Sequence, residues 1–282
     1  MHKPADPLVR IAEALERISP PPIQPDLSST ARFIWQPRQR TLVPIPDWHG
    51  PDLGLLCGLE DQAARLLAAV NAFASGARAN HALLWGARGT GKSALAKAVF
   101  AAGIDNAPHL KVIELPAAAI ADATDLIDAI ATANARAIVF IDDLSLEAGE
   151  LALRALKPAL DGTMSASNGA VMVVATANRR HIMAQTPDRT EQGFDPARAD
   201  AEHERLALSD RFGLWLGFHP IDQATYLAIV NAYAARFALA PSGEPLQRAA
   251  LQWAAARGAR SGRTAWQFIL DLASTQGKAI TF

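Results

Sequence analysis

The stretch WGARGTGKSALAK, residues 85 to 97, constrains the fold of this chain more than any other segment. Three glycines, Gly86, Gly89 and Gly91, stand immediately ahead of Lys92 and Ser93. Glycine inside regular structure is costly, because the unfolded chain loses the most freedom there. Their density implies a backbone that must approach something closely. The spacing G-x-x-x-x-G-K-[ST] is met at Gly86, Gly91, Lys92 and Ser93. Its physical content is a nest of backbone N–H groups that cradles phosphate oxygens. Lys92 would reach the β- and γ-phosphates of a nucleotide, and the Ser93 hydroxyl would bind Mg²⁺. The helix that opens here adds its positive N-terminal dipole. With glycine at about 7% of residues, a chance match in a chain of this length is on the order of one in a hundred. His81–Trp85 reads as a short buried strand and Ala94–Phe100 as a helix, the order the motif requires. The segment Gly86, Ala87, Arg88, Gly89, Thr90, Gly91, Lys92, Ser93, Ala94 is therefore the expected phosphate loop.

Ala137–Ile141 is an apolar strand that ends in Asp142 and Asp143. At the carboxyl end of a parallel strand, acidic side chains face the crevice where ligands bind. There Asp142 would hold Mg²⁺ through water, opposite Ser93. Asp143 would orient or deprotonate an attacking water, a group that hydrolysis needs because the phosphoryl transition state is stabilised mostly by position and charge. The next strand, 171–175, runs into Asn178, whose amide can hydrogen-bond both that water and the γ-phosphate; capping a loop is its other use.

In this order the motifs resemble those of the AAA+ ATPases: Walker A at Gly86–Ser93, Walker B at Phe140–Asp143 and sensor 1 at Asn178. The phrases ANHALLWGARGTGKS, FIDDLSLE, ATANRRH, LSDRFGLWLGF and RSGRTAWQF are also similar to a bacterial group of predicted AAA+ ATPases catalogued as a domain of unknown function. The resemblance runs from about residue 55 to about residue 275. It implies that Arg211 is an arginine finger reaching a neighbouring subunit's γ-phosphate, and hence a homo-oligomer. An ion pair with Asp210 is the alternative for that side chain. It also implies a sensor 2 arginine that touches the nucleotide from a helical lid. Arg260 matches that position best, and Arg263, one turn later, is the alternative. Leu55–Gln62 falls where such proteins contact adenine, which makes Gly58 and Leu59 candidates for the base pocket.

Two departures from the superfamily carry weight. The second Walker B acid is Asp143 where glutamate is usual, shorter by one methylene, so water activation needs a small backbone adjustment or a share of the work from Glu147, and slow turnover is expected. The segment 115–121 lacks the aromatic residue and glycine of threading unfoldases, which disfavours polypeptide threading.

Composition sets the outer bounds. Half of the 282 residues are apolar, a fifth are charged, and net charge is −1, so no global field draws the chain to nucleic acid or anionic membrane. Nucleic acid stays possible through a local basic set, Arg32, Arg38, Arg40, Arg179, Arg180 and His181. One cysteine, Cys57, precludes an internal disulfide and fits a reducing cytoplasm. No apolar signal core opens the sequence, and no uncharged apolar run reaches the ~18 residues of a transmembrane helix.

The pattern along the chain gives an amphipathic helix at 5–18, a proline break at 19–25 and irregular chain through Trp48, with Phe33, Ile34 and Trp35 pinning it to a core. Helices are expected at 58–74, 122–133, 147–160, 222–239, 245–256 and 264–274, and further strands at 110–115, 169–176 and 214–218. Alternating strands and helices imply a mainly parallel five-stranded sheet flanked by helices, an α/β P-loop NTPase fold. The expected division is an N-terminal helical or irregular extension (1–50), an AAA+ domain (51–220) and a small C-terminal helical lid (221–282). The polar stretch 185–205 is a partner-contact candidate or a solvated insertion.

The expected function is Mg²⁺-dependent ATP binding and hydrolysis to ADP, coupled through lid and trans arginine to an unknown protein partner. The alternative is a nucleotide-dependent loading module with little turnover, acting on nucleic acid. A P-loop kinase would explain neither Asn178 nor the helical end of the chain.

Overall fold

Hydrophobic strands that alternate with amphipathic helices can bury themselves in only a few ways, and here they stack side by side under two layers of helix. The computed structural model describes residues 7–11, 26–45, 50–144, 156, 160, 169–178 and 211–282. Among them, seven strands form one sheet: β1 (Arg32–Gln36), β2 (Thr41–Pro44), β3 (Ala82–Gly86), β4 (Lys111–Glu114), β5 (Ala137–Ile141), β6 (Val171–Asn178) and β7 (Leu214–Phe218). Their order is β2-β1-β4-β5-β6-β3-β7. Every neighbouring pair is parallel except β1 with β2. The five parallel strands expected from the sequence are β4, β5, β6, β3 and β7.

Helices cover both faces. One core joins α1 (Glu60–Ala74) and α2 (Lys92–Asn106) to the sheet through Leu66, Val70, Phe73, Leu95, Val99 and Phe100. The other packs α3 (Ala123–Thr132) against the opposite face through Leu126, Ile127 and Ile130. Strand β5, AIVFI, is buried at all five positions, which is why it shows no polar alternation. A third core lies within α4 (Gln223–Arg236), α5 (Glu244–Ala256) and α6 (Gly262–Thr275), built on Tyr226, Val230, Leu246, Ala250, Ala265 and Ile269.

The stretch before Trp48 departs from the irregular chain expected of it. β1 and β2 form a hairpin, and β1 extends the parallel sheet beside β4. Phe33 and Trp35 point to the core while Arg32, Ile34 and Gln36 are only half buried, the period of two that a one-sided strand requires. Trp35 is fixed further by an indole N–H that donates to Asp122 at 2.8 Å. Arg40, one of the candidate basic residues, pairs with Asp125 at 2.9 Å.

The segment weighed as a threading loop is instead a 3₁₀ turn, Ala117–Asp122, with Ala119 and Ile120 in the core. Residues 7–11 are helical, with Leu8, Val9 and Ile11 exposed. The rest of the 5–18 helix lies outside the described residues, as do Glu147, Arg179, Arg180, His181, the stretch 185–205 and most of the helix expected at 147–160. No helix among the described residues is long and apolar enough to cross a membrane.

Candidate nucleotide site

The register of the sheet brings the motifs together. Gly86, the last residue of β3, stands beside Asn178 of β6 on one side and Phe218 of β7 on the other. A Cβ on Gly86 would lie 2.0 Å from the Phe218 carbonyl oxygen, so the glycine is demanded by the neighbouring strand. At Gly89 (φ +77°) a Cβ would come within 3.1 Å of Ser261 at the start of α6. The close approach that the glycine density implied is thus, at both positions, an approach to the protein itself.

After this loop α2 opens at Lys92, with Gly91 as its cap and no side chain capping it. The first amides of a helix have no intrahelical acceptor. Here they belong to a segment, Arg88–Ala94, that lines a cavity of about 900 Å³. Lys92 is buried, and its Nζ donates to the carbonyls of Gly86 (3.0 Å) and Ala87 (2.8 Å), with Asn178 Oδ1 at 3.5 Å. Burial pulls the ammonium below its ordinary pKa, while the charges of Asp143 and Asp142 oppose that shift. Gly86 and Ala87 are therefore not cavity lining but the seat of the lysine.

Opposite stands a clip between β5 and β6. The Thr176 hydroxyl, 1% exposed, donates to Asp142 Oδ1 at 2.6 Å and accepts from the Asp143 N–H at 2.8 Å. The Thr176 carbonyl then accepts from the Leu144 N–H at 2.7 Å. Three bonds to one residue hold the turn in which Asp143 takes a left-handed backbone (φ +55°), a conformation aspartate tolerates better than most residues. Asp142 Oδ1 also accepts from Ser93 Oγ at 2.6 Å. Asp143 Oδ1 accepts from the Asn178 side-chain amide at 2.7 Å, and its other oxygen is 3.9 Å from Arg88.

Ser93 and Asp142 offer hard oxygen donors at one point, the kind Mg²⁺ takes. Among the described residues no group of three His, Cys, Asp or Glu could hold a metal. Mg²⁺ at a phosphate site uses one or two protein oxygens, with waters and phosphate supplying the rest, so the donor set fits this ion.

The far end of the cavity is apolar. Leu55, Leu56, Cys57 and Leu59 line it from one side, and Ile221, Ile229, Tyr233, Trp266 and Phe282 from the other. Burial pushes the Tyr233 phenol up to about 12 and raises the Cys57 thiol, so both stay protonated. Leu59 lines the cavity and lies against the glycine loop, where a Cβ on Gly91 would be 2.8 Å from its Cδ1. Gly58 does not; it lies against α4, where a Cβ would be 2.8 Å from Thr225 Cγ2. Of the two lid arginines, Arg263 lines the cavity and Arg260 does not. α6 is capped by Ser261, which leaves Arg260 ahead of the helix and Arg263 in its first turn. The α6 backbone also touches the phosphate loop directly, Gly262 N–H donating to the Gly89 carbonyl at 3.0 Å. Arg211 sits on the turn before β7, apart from the cavity lining. Thr176, Tyr233, Trp266 and Phe282 also line the cavity, although no motif in the sequence marks them.

Residues 28–276 match the family described as "Protein of unknown function (DUF815)". Among solved structures, the chain is similar to the Aeropyrum pernix Orc1 protein, determined in complex with DNA, at 19% identity and a TM-score of 0.57. That match covers 82% of this chain and 63% of the other, so the chain spans less than two thirds of that protein's length. A mutant of Thermotoga maritima RuvB matches at 18% identity and a TM-score of 0.55, over 82% of this chain and 69% of that one. No curated protein matches it. Identities this low speak for the fold alone. The chain belongs to the DUF815 family, and its fold is that of the AAA+ P-loop NTPases.

Proposed function

We propose that this protein is an ATPase: it binds ATP with Mg²⁺ in the cavity between sheet and lid and hydrolyses it to ADP. The observation that carries this reading is the convergence of Lys92 and Ser93, from the start of α2, with Asp142, Asp143 and Asn178, from the ends of β5 and β6, on one cavity. In the proposal, Lys92 and the amides of residues 88–94 bind the phosphates. Ser93 and Asp142 would hold Mg²⁺, which supplies charge neutralisation on the phosphate oxygens. Asp143 takes a proton from the attacking water, and Asn178, bonded to it, fixes the direction of the carboxylate. Asp143 is one methylene shorter than the usual glutamate, and the backbone adjustment that offsets this is assigned to its left-handed conformation (φ +55°).

The chain is read as a nucleotide-binding domain (51–220) and a lid (221–282), with the β1–β2 hairpin joined to the former. The Gly262–Gly89 bond and Arg263 link lid position to the phosphate loop, so nucleotide state would set the lid angle and through it act on a partner. Arg211, outside the cavity of its own chain, is assigned to a neighbouring subunit's nucleotide, which makes the active form a homo-oligomer.

Phosphate release tests the reading. The wild-type chain should turn ATP over, and Asp143→Asn should keep ATP binding within about threefold while losing at least about a hundredfold in rate, the range for a positioned base. Normal turnover by Asp143→Asn would remove Asp143 from that role.

A further inference from the structure

The cavity has two chemically opposite ends. Arg88, Lys92, Lys97 and Arg263 outnumber Asp142 and Asp143 in the charged part of its lining, while the rest of the lining is uncharged and largely apolar. A ligand that matches both carries negative charge at one end and an apolar body at the other.

Part of the apolar end comes from outside the lid helices. Phe282, on the segment after α6, lies over Trp266 with ring centroids 4.2 Å apart and planes 31° from parallel. It also meets Tyr233 at 5.3 Å and Phe237 at 5.6 Å. The Tyr233 contact is edge-on, as aromatic quadrupoles favour, and the other two are tilted. The segment that delivers it is tied down along its length. The Gln276 side-chain amide exchanges two hydrogen bonds with the backbone of Ala240, Oε1 accepting from its N–H at 3.2 Å and Nε2 donating to its carbonyl. The Lys278 N–H donates to Ala273 O at 2.9 Å, and its ammonium to Ala238 O. With Phe282 in place the cavity still measures about 900 Å³, near the upper end of the range for small-molecule sites, so the ring is a wall and not a plug.

We infer that Phe282 is a base-recognition residue: with Trp266 and Tyr233 it forms an aromatic wall against which the purine of the bound nucleotide packs. This rests on the nucleotide reading above. It assigns recognition of the base to the segment after α6 in addition to Leu59 and its neighbours.

The test compares two probes, Mg·ATP and Mg·tripolyphosphate, by titration calorimetry on the full chain. Stacking of one base on an aromatic ring predicts that Phe282→Ala raises the ATP Kd about tenfold. Tripolyphosphate, which lacks a base, should bind the variant within about twofold of wild type. Phe282→Tyr should restore ATP affinity, and Phe282→Leu, which fills space without a π face, should restore only part of it. Unchanged ATP affinity in Phe282→Ala would overturn the assignment and leave the nucleotide site standing. Equal weakening of both probes would also overturn it, since the ring would then serve the lid and not the base. Equal affinity of the wild type for the two probes would show that no base subsite exists. Failure of the wild type to bind either probe would remove the nucleotide reading itself.

Discussion

The proton of the Thr176 hydroxyl goes to Asp142, which leaves an oxygen lone pair to receive the Asp143 N–H. One side chain therefore sets both the orientation of the carboxylate beside Ser93 and the backbone of the residue that follows it. Valine at this position has nearly the same shape and neither hydrogen bond. Thr176→Val leaves the part-buried Asp143 amide without its protein acceptor, which costs about 1 kcal/mol of stability. Its larger expected effect is on chemistry, since displacing a positioned catalytic group by about 1 Å lowers rate on the order of a hundredfold. Steady-state phosphate release should fall by about that factor, with the ATP Kd within about threefold of wild type and Thr176→Ser close to wild type. A Thr176→Val variant with normal turnover would show that the clip is dispensable.

Elements meet at the phosphate loop because β3 is flanked by strands that leave no room for a side chain at its last residue. Gly86→Ala would put a carbon 2.0 Å from the Phe218 oxygen, and neither strand can yield without breaking the β3–β7 ladder. The expected loss is about 4 kcal/mol or more, the range reserved for backbone overlap and similar faults. Gly89→Ala meets Ser261 at 3.1 Å and Arg263 Cβ at 3.6 Å, though at a positive φ, so it should fold and disturb chiefly the lid contact. Urea unfolding of the two variants checks the ordering, and equal midpoints would contradict it. The same elements show what the sequence discloses. β5 lies at the expected 137–141, because a buried parallel strand is an unbroken apolar run between turn residues, and the half-buried edge strand β7 lies at the expected 214–218. The β1–β2 hairpin escaped because its signal is two buried residues, Phe33 and Trp35, within five, too short a period to stand out beside Pro37 and Arg38.

Across the whole molecule, the glycine-rich loop and the two acids that share its cavity were legible because they are fixed residue types at fixed local spacing. Thr176 stood in plain view two residues before Asn178, but its role depends on pairing β6 with β5, which no local pattern states. The aromatic end was less legible still. Tyr233 and Trp266 read as ordinary core positions of amphipathic helices, and only the packing of lid on sheet turns them towards Leu59 and the phosphate loop. Arg263 gained its place over Arg260 for a related reason, since the start of α6 at Gly262 decides which arginine meets the cavity.

All of this depends on one triphosphate seat between sheet and lid. Calorimetric titration of Mg·ATP into the wild-type chain and into Lys92→Ala tests it most directly. The account predicts saturation at one nucleotide per chain for the wild type, and a Kd raised at least about a hundredfold, about 3 kcal/mol, in Lys92→Ala. Equal affinity in the two proteins, or no binding by the wild type, would contradict it.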